Sequence, residues 1–570
     1  MKGGESLLPA FALYGSRRKP TEGAAEQGKG TGQIPDMIEQ YRGRTGTPLY
    51  NRARCDRYSS DAPYARCAVR ILPNALPNAL PDEWPDALPD ELPNPLPDRR
   101  ADAMTDAEHL TEQGNVLAKL QRPLEALACY EQALLLQPDH LEALKNRGNV
   151  LRALNCREQA LASYAVALQF KPDYTEAMNN SAVVLQELDR PEEALAYYER
   201  ALQHQPVRAS TLVNHGVTLQ NLNRPDAALV SFDEALRLEP GLAEAHFGAA
   251  LCRLLLGDFV GGWQAYEWRR KIPAYASVVR DFTQPLWLGD APVQGKTILL
   301  HAEQGLGDTL QFCRYAQAVA ELGATVWLEV QAPLQALLMQ LLGIQGIENL
   351  KGFKRVGIAG AGIQGVLARG EALPHFDYHC PLPSLPLALR TELATIPARV
   401  PYLEADAGKI AAWSQRLAAY PRPWIGVVWS GNVAHVNDRH RSIPLAQLNP
   451  VLREGGSFIS LQKEVPQADQ AAFASTHLID IAAALHDFTD TAAVLACLDH
   501  VITVDTAVAH LAGAMGRAAT VMLPYRPDFR WLLERTDSPW YPSLQLVRQQ
   551  WRGDWSGAIA QVAARLRETR

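Results

Sequence analysis

The sequence predicts a multidomain protein in which an all-α array of helical hairpins precedes an α/β region of two facing nucleotide-fold halves, behind a Pro-rich leader. Three observations carry this expectation. A four-residue Leu-Pro motif recurs from Leu72 to Arg99, small and aromatic residues recur every 34 positions from Ala107, and short apolar runs alternate with helical stretches beyond Pro285. The implied boundaries are 1–103 for the leader, 104–276 for the helical array, and 277–405 and 406–570 for the two α/β halves.

In the leader, a proline at every fourth position removes backbone donors and forbids a regular helix or sheet, so a disordered, extended segment is expected. The alternative is that translation starts at Met104, just before the first repeat, and that the leader has no function. The 570 residues, 47% of them apolar, suffice for several separate cores. A net charge of −7 supplies no overall basic balance, so nucleic acid is not an expected partner. Eight scattered cysteines without a C-x-x-C pair read as reduced thiols in a cytoplasmic protein. No apolar run approaches the roughly 20 residues of a membrane-spanning helix.

Four copies of the 34-residue unit start at Ala107, Leu141, Thr175 and Ala209. Their eighth positions are the small residues Gly114, Gly148, Ala182 and Gly216, and their twentieth positions are Ala126, Ala160, Ala194 and Ala228. Tyr130, Tyr164, Tyr198 and Phe232 follow, then Ala133, Ala167, Ala201 and Ala235, and Pro138, Pro172, Pro206 and Pro240 close each second helix. This pattern resembles the tetratricopeptide repeat. A fifth unit from Ala243 has Gly262, Trp263 and Trp268 and reads as a cap that docks on the next domain. The resemblance implies a concave groove for a protein or peptide partner, with a spacer or dimerisation element as the alternative. Asn146, Asn179, Asn180 and Asn214 lie on first helices, where side chains face such a groove or only solvent.

Beyond Pro285, Thr297–His301 and Ala324–Val330 read as strands, with helices over Asp308–Leu322 and Pro333–Leu342. A second series places strands at Trp424–Trp429, Ser457–Leu461, Val501–Val504 and Thr520–Leu523, and the five prolines of Phe376–Pro401 suit an ordered connection between the two halves. Asp505 and Thr506 end a strand where a small-residue helix begins, so either can cap that helix and leave its first amides for an anion, with His510 nearby. Glu303-Gln304-Gly305-Leu306-Gly307-Asp308 forms a second strand-to-helix turn, in which the glycines allow backbone to approach a ligand and Asp308 is either an N-cap or a base.

These motifs together resemble glycosyltransferase family 9, the ADP-heptose lipopolysaccharide heptosyltransferases, whose two facing nucleotide folds are called GT-B. Gly305-Leu306-Gly307-Asp308 matches the family's glycine-aspartate turn, Arg441-Ser442-Ile443-Pro444 a basic residue before a proline, and Asp505-Thr506-Ala507-Val508-Ala509-His510 its Asp-Thr-Gly-x-x-His helix start. The resemblance covers about 270 residues from Lys296. It implies a bacterial, cytoplasmic, inverting and metal-independent transferase without a cofactor, taking a nucleotide-diphosphate sugar as co-substrate. Asp308 would be the general base, and Gly305, Gly307, Arg441, Asp505, Thr506, Ala507 and His510 would hold the donor. Arg439, Lys463, Glu464 and Asn432 are further donor-binding candidates, each with a solvated or mobile loop as the alternative. His435 and Asn437, with Asn432, could meet sugar hydroxyls, and the aromatic residues of Tyr525–Trp531, Trp540 and Tyr541 either stack on ligand or pack the core.

The chain departs from this family at Ala507, where glycine is usual, and in the echo of Gly343-Ile344-Gln345-Gly346-Ile347 by Gly362-Ile363-Gln364-Gly365-Val366, which reads as a local duplication. A repeat array before a GT-B region instead resembles protein O-GlcNAc transferases. The acceptor class therefore stays open among protein, lipid and glycan, a lipid implying peripheral membrane association. A non-catalytic scaffold is the remaining alternative.

Overall fold

The computed structural model describes residues 98–568 apart from 205, 276, 278, 347–361 and 434–436, with backbone alone for 98–104 and 343–346. The expectation for leader residues 1–97 lies outside the described residues. The chain divides into two compact units, one ending at Pro206 and the other running from Val207. The division falls inside the repeat array, so the fourth repeat and the cap belong to the same unit as the α/β region.

Among the described residues of the first unit, six helices form three hairpins: α1 (Asp98–Lys119), α2 (Pro123–Leu136), α3 (Leu141–Ala153), α4 (Arg157–Phe170), α5 (Thr175–Glu187) and α6 (Pro191–Leu202). α1 begins inside the stretch assigned to the leader, because Pro97 is the last proline of the Leu-Pro motif and nothing after it blocks a helix. The small-large pattern is steric. A Cβ on Gly114 would lie 2.6 Å from Cε1 of Tyr130, and one on Gly148 would overlap the Tyr164 ring. The buried rings also donate across the hairpins, Tyr130 to Asn115 Oδ1 at 2.8 Å and Tyr164 to Asn149 Oδ1 at 2.7 Å. The same two acceptors take bonds from Asn146 (2.7 Å) and Asn180 (2.9 Å) of the following repeats.

The second unit opens with α7 (Ala209–Asn221), α8 (Pro225–Leu238), α9 (Ala243–Leu256) and α10 (Phe259–Tyr266). Here Phe232 fills the space that both Gly216 and Gly248 leave. Between the helices of each hairpin, one residue adopts a left-handed conformation: Gln121, Asn155, Asp189, Asn223 and finally Gly257, with φ from 54° to 88°. These positions are also 34 apart, and their chemistry varies because a single αL residue costs Asn, Asp and Gly little.

The α/β region contains two parallel sheets. The first has the order β3-β2-β1-β4, built from β1 (Thr297–His301), β2 (Thr325–Val330), β3 (Gly362–Ala368) and β4 (Tyr378–Pro381). α11 (Leu306–Phe312), α12 (Tyr315–Glu321) and α13 (Ala332–Leu338) connect its first strands. The single helix expected over Asp308–Leu322 is interrupted at Cys313 and Arg314, because the buried Arg314 turns inward and its Nε takes the carbonyl of Gln311 at 2.9 Å. The two Gly-Ile-Gln-Gly copies are not a structural duplication. The first ends a 3₁₀ segment, Met339–Gly346, while the second forms β3; Ile347 lies outside the described residues.

The second sheet has the order β10-β9-β8-β5-β6-β7. Its strands are β5 (Trp424–Val428), β6 (Ser457–Ser460), β7 (Ile479–Asp480), β8 (His500–Val504), β9 (Ala519–Leu523) and β10 (Leu544–Arg548). Around it lie α14 (Ala407–Leu417), α15 (Phe488–Cys497), α16 (Ala507–Ala514) and α17 (Ser556–Glu568). Ile425, Val427, Ile502, Val504 and Met522 pack with Trp555, Ile559 and Val562 into its core. Cys129, Cys252, Cys313, Cys380 and Cys497 are free thiols. No helix among the described residues is long and apolar enough to cross a membrane.

Replacing Gly114 by Val should drive a side chain into the Tyr130 ring and destabilise the first unit by about 1–3 kcal/mol, the usual cost of overpacking. Urea unfolding followed by far-UV circular dichroism measures it, and an unchanged midpoint of the helical transition would contradict the packing described.

Candidate functional site

In the second sheet the chain reverses its direction of strand addition between β5 and β8, and in open α/β sheets ligands bind outside the carboxyl ends of the strands at such a point. The polar residues gather there. Arg441, on the single helical turn Asp438–Arg441, packs against Gly431 just beyond β5 and donates from Nη1 to the Asp505 carbonyl just beyond β8 at 3.1 Å. Its Nε lies 3.3 Å from Asp438 Oδ1.

Thr506 occupies the N-cap position of α16, but its side chain does not cap the helix and lies 3.0 Å from the Thr503 hydroxyl instead. Residues 505–508 are partly exposed, so the first turn of this helix, whose amides lack intrahelical partners, is in contact with solvent. Ala507 leads that turn.

α11 from the first half packs directly against α16, and the two motifs meet. A Cβ on Gly307 would lie 2.7 Å from Cδ2 of His510, so glycine is required here by an imidazole ring. The sequence reading had expected the space to serve a ligand. His510 is buried, with Nδ1 2.9 Å from the Tyr541 hydroxyl, its ring stacked on Trp531, and Nε2 4.0 Å from Asp505 Oδ1. Burial, reinforced by the Arg530, Arg314 and Arg441 guanidiniums, holds its proton affinity well below the ordinary imidazole range. Burial and then the charge of Asp528 push the Asp505 carboxyl up to about 6, against the opposing pull of Arg441.

Asp308 is the third residue of α11 and reaches back so that Oδ2 accepts the Gly305 amide at 2.7 Å, the local N-terminal contact that its position permits. Its Oδ1 accepts from Arg530, a residue of the second half that sequence reasoning passed over. The Asp308 side chain keeps 17% of its surface exposed. Burial raises its proton affinity, and Arg530 together with the Gly305 amide opposes that shift.

Lys463 donates to the Ala482 carbonyl at 2.9 Å and to that of Leu485, which ties a loop together. Glu464 and Asn432 are exposed, and Arg439 turns to His440 at 3.0 Å. His435 lies outside the described residues. Phe529, Arg530, Trp531, Trp540 and Tyr541 are buried, and Phe529 and Trp540 pack around Trp263 of the cap, so this aromatic segment is core.

The equivalent reversal point of the first sheet, between β1 and β4, is occupied by the protein itself. Arg269 of the cap is fully buried, clamps Glu303 through two 2.8 Å bonds and reaches Ser384 Oγ at 2.8 Å. Beside it, the buried His301 and His379 rings are 3.1 Å apart through Nε2 and Nδ1. Burial, followed by the Arg270 and Arg280 charges, lowers His379 to about 4, and burial takes His301 well below its ordinary value.

Models of the tetratricopeptide repeat match residues 111–175 and 213–268, and a second model of the same description matches 175–203. Residues 111–268 are tetratricopeptide repeats. The chain is 29% identical over 347 residues to Protein FlbA of Caulobacter vibrioides, covering 57% of this chain. That match is longer than the repeat array, so the distant homology extends past the repeats. The chain spans about half the length of this curated relative, 55% of it. Solved structures similar to it include YrrB, described as a TPR protein with an unusual peptide-binding site (23% identity, 30% of this chain and 92% of that chain, TM-score 0.27). Pseudomonas aeruginosa pilF is similar at 21% identity over 30% of this chain and 78% of that chain, with a TM-score of 0.28.

Two outcomes follow from the packing around the buried imidazoles. Gly307→Ala should displace the His510 ring from Trp531, costing about 1–3 kcal/mol, and should alter the near-UV circular dichroism of the aromatic cluster. His379, His301 and His510 bind protons more readily when unfolded, so the stability they contribute is present above about pH 6.5 and lost as pH falls, for His379 through about 4. Each should account for up to about 1.4 kcal/mol per pH unit within that window. Urea unfolding between pH 7 and 5 should show His379→Gln flattening the dependence by one such increment; an unchanged slope would assign the acid sensitivity elsewhere.

Proposed function

We propose that this chain is an inverting, metal-independent glycosyltransferase that takes a nucleotide-diphosphate sugar, and that its repeats recruit the acceptor or a protein or peptide partner. One observation carries the reading. The Gly305–Asp308 turn and the Asp505–His510 helix start, distant in sequence, meet beside the strand-end crevice of the second sheet, within one compact unit. Arg441 lies at that crevice as well.

In this reading Asp308 removes the proton of an acceptor hydroxyl as its oxygen bonds to the anomeric carbon. The bond from that carbon to the nucleoside diphosphate breaks on the opposite face, which inverts the centre. Negative charge collects on the departing diphosphate, and the open first turn of α16 and the Arg441 guanidinium are placed to receive it. Asp505 would bind next to that anion, and its raised proton affinity lowers the repulsion between them.

The repeats favour a protein acceptor over a lipid or glycan, since an array of this kind presents a peptide-sized groove; peripheral membrane association would follow only from a lipid acceptor. A scaffold without turnover draws on a different observation, that both Asp308 oxygens are already engaged by Gly305 and Arg530.

Thermal shift with ADP, UDP, GDP and their sugar conjugates separates these readings. A transferase should be stabilised by one nucleotide class and release its diphosphate on turnover. Asp308→Asn should then lower kcat by about 10²–10⁴, the usual contribution of a general base, and Arg441→Ala should weaken donor binding. Partner binding with no nucleotide response would favour the scaffold.

A further inference from the structure

The polar group that faces Asp308 comes from the opposite half of the α/β region and from a segment that the repeats brace. Arg530 sits on the short turn Phe529–Trp531, whose N-cap Asp528 accepts the Arg530 amide at 3.0 Å. Its guanidinium is held on three sides. Nε donates to Gln311 Oε1 at 2.6 Å, Nη1 to Asp528 Oδ1 at 2.7 Å, and Nη2 to Asp308 Oδ1. Asp308 and Gln311 are one helical turn apart on α11, so the planar fork grips two residues of the same face at once, which a point charge cannot do.

The turn itself has little freedom. Phe529 packs edge-on against Trp263 (5.7 Å) and Tyr266 (5.8 Å) of the cap, and Arg526 hydrogen-bonds Asn221 of the fourth repeat. The guanidinium also lies over the Phe529 ring at 4.4 Å and is 92% buried, since its side chain retains 8% of its exposure. A carboxylate in such surroundings adopts one rotamer only if something defines it. The Gly305 amide fixes one oxygen and Arg530 the other, and each oxygen retains a further lone pair on a side chain that is still 17% exposed.

We propose that Arg530 is the positioning residue for Asp308: it fixes the orientation of this carboxylate and sets a guanidinium against it, so that a base carried by one half becomes competent only when the other half is docked on it. The proposal rests on the transferase reading. It does not assign Arg530 to the donor phosphate, which distinguishes it from Arg441.

Removing Arg530 deletes the largest influence that opposes burial at Asp308, so the base should ionise only at higher pH. The experiment is steady-state kinetics of the full chain with the nucleotide sugar that it turns over, comparing the native protein, Arg530→Gln and Arg530→Lys across pH 5 to 9. Arg530→Gln should lower kcat by about tenfold or more, leave KM for the donor within about twofold, and move the acid limb of kcat/KM upward by about one pH unit or more. Arg530→Lys, which retains the charge, should bring the acid limb most of the way back while kcat recovers only in part. If Arg530→Gln melts below the assay temperature, Arg530→Lys decides on the same split: reduced kcat with unchanged donor KM supports the role, and full activity overturns it. An unmoved acid limb in a folded Arg530→Gln overturns it too, as does a rise in donor KM at constant kcat, which would make Arg530 a donor ligand. A native chain inert with every nucleotide sugar overturns the transferase reading and this role together, whereas native turnover with an unmoved acid limb removes only the role of Arg530.

Discussion

Buried guanidinium groups are the constraint on which the second unit depends. An arginine removed from water needs acceptors for its donors, and breaking one partner of such a group typically costs about 3–5 kcal/mol. Arg269 meets this demand with Glu267, Glu303 and Ser384 and so joins the cap to the first sheet. Arg314 meets it without a carboxylate. It donates to the carbonyls of Gln311, Pro397 and Trp540 and to the Tyr402 hydroxyl, and it lies over the Tyr402 and Tyr541 rings. Arg530 adds the contact between Asp308 and the second half. Arg314 and Arg530 are satisfied only if α11 and the segments after β9 hold their mutual positions, and Arg314 requires the interlobe connection as well.

The candidate site inherits this rigidity. Gly307 lets α11 come within contact of His510, and the His510 ring is in turn held by Tyr541 and Trp531. The open turn of α16 and the Asp308 carboxylate are therefore carried by elements whose approach is set by packing on both sides. The cap contributes through Trp263, which touches Phe312 of α11 and Phe529 beside Arg530. A repeat array joined through such contacts is part of the support of the site as well as a potential recruiting surface.

Much of the repeat region was legible because its stabilising contacts are local. Gly114 and Tyr130 are one hairpin apart, and the same pair of sizes must recur wherever the same hairpin recurs. The left-handed turn at Gln121, Asn155, Asp189, Asn223 and Gly257 escaped notice because the constraint is on φ, which several residue types satisfy. Strands β3, β4, β7 and β10 were also missed. β3 carries the second Gly-Ile-Gln-Gly copy, and its conformation is set by pairing with β2, while the first copy ends a 3₁₀ segment.

By itself the sequence determined the helical period, the alternation that makes two parallel sheets, and the two strand-to-helix turns bearing Asp308 and Asp505, all of which follow from backbone preferences and burial over short spans. Only the tertiary structure decided that Gly307 serves the His510 ring, that Lys463 closes a loop, and that Arg530 is the partner of Asp308. Those outcomes depend on pairs far apart in the chain, 222 residues in the case of Arg530 and Asp308. Their physical reason is desolvation: a buried charge takes whichever partner the packing of distant elements brings within reach, and no local pattern of residues specifies that partner.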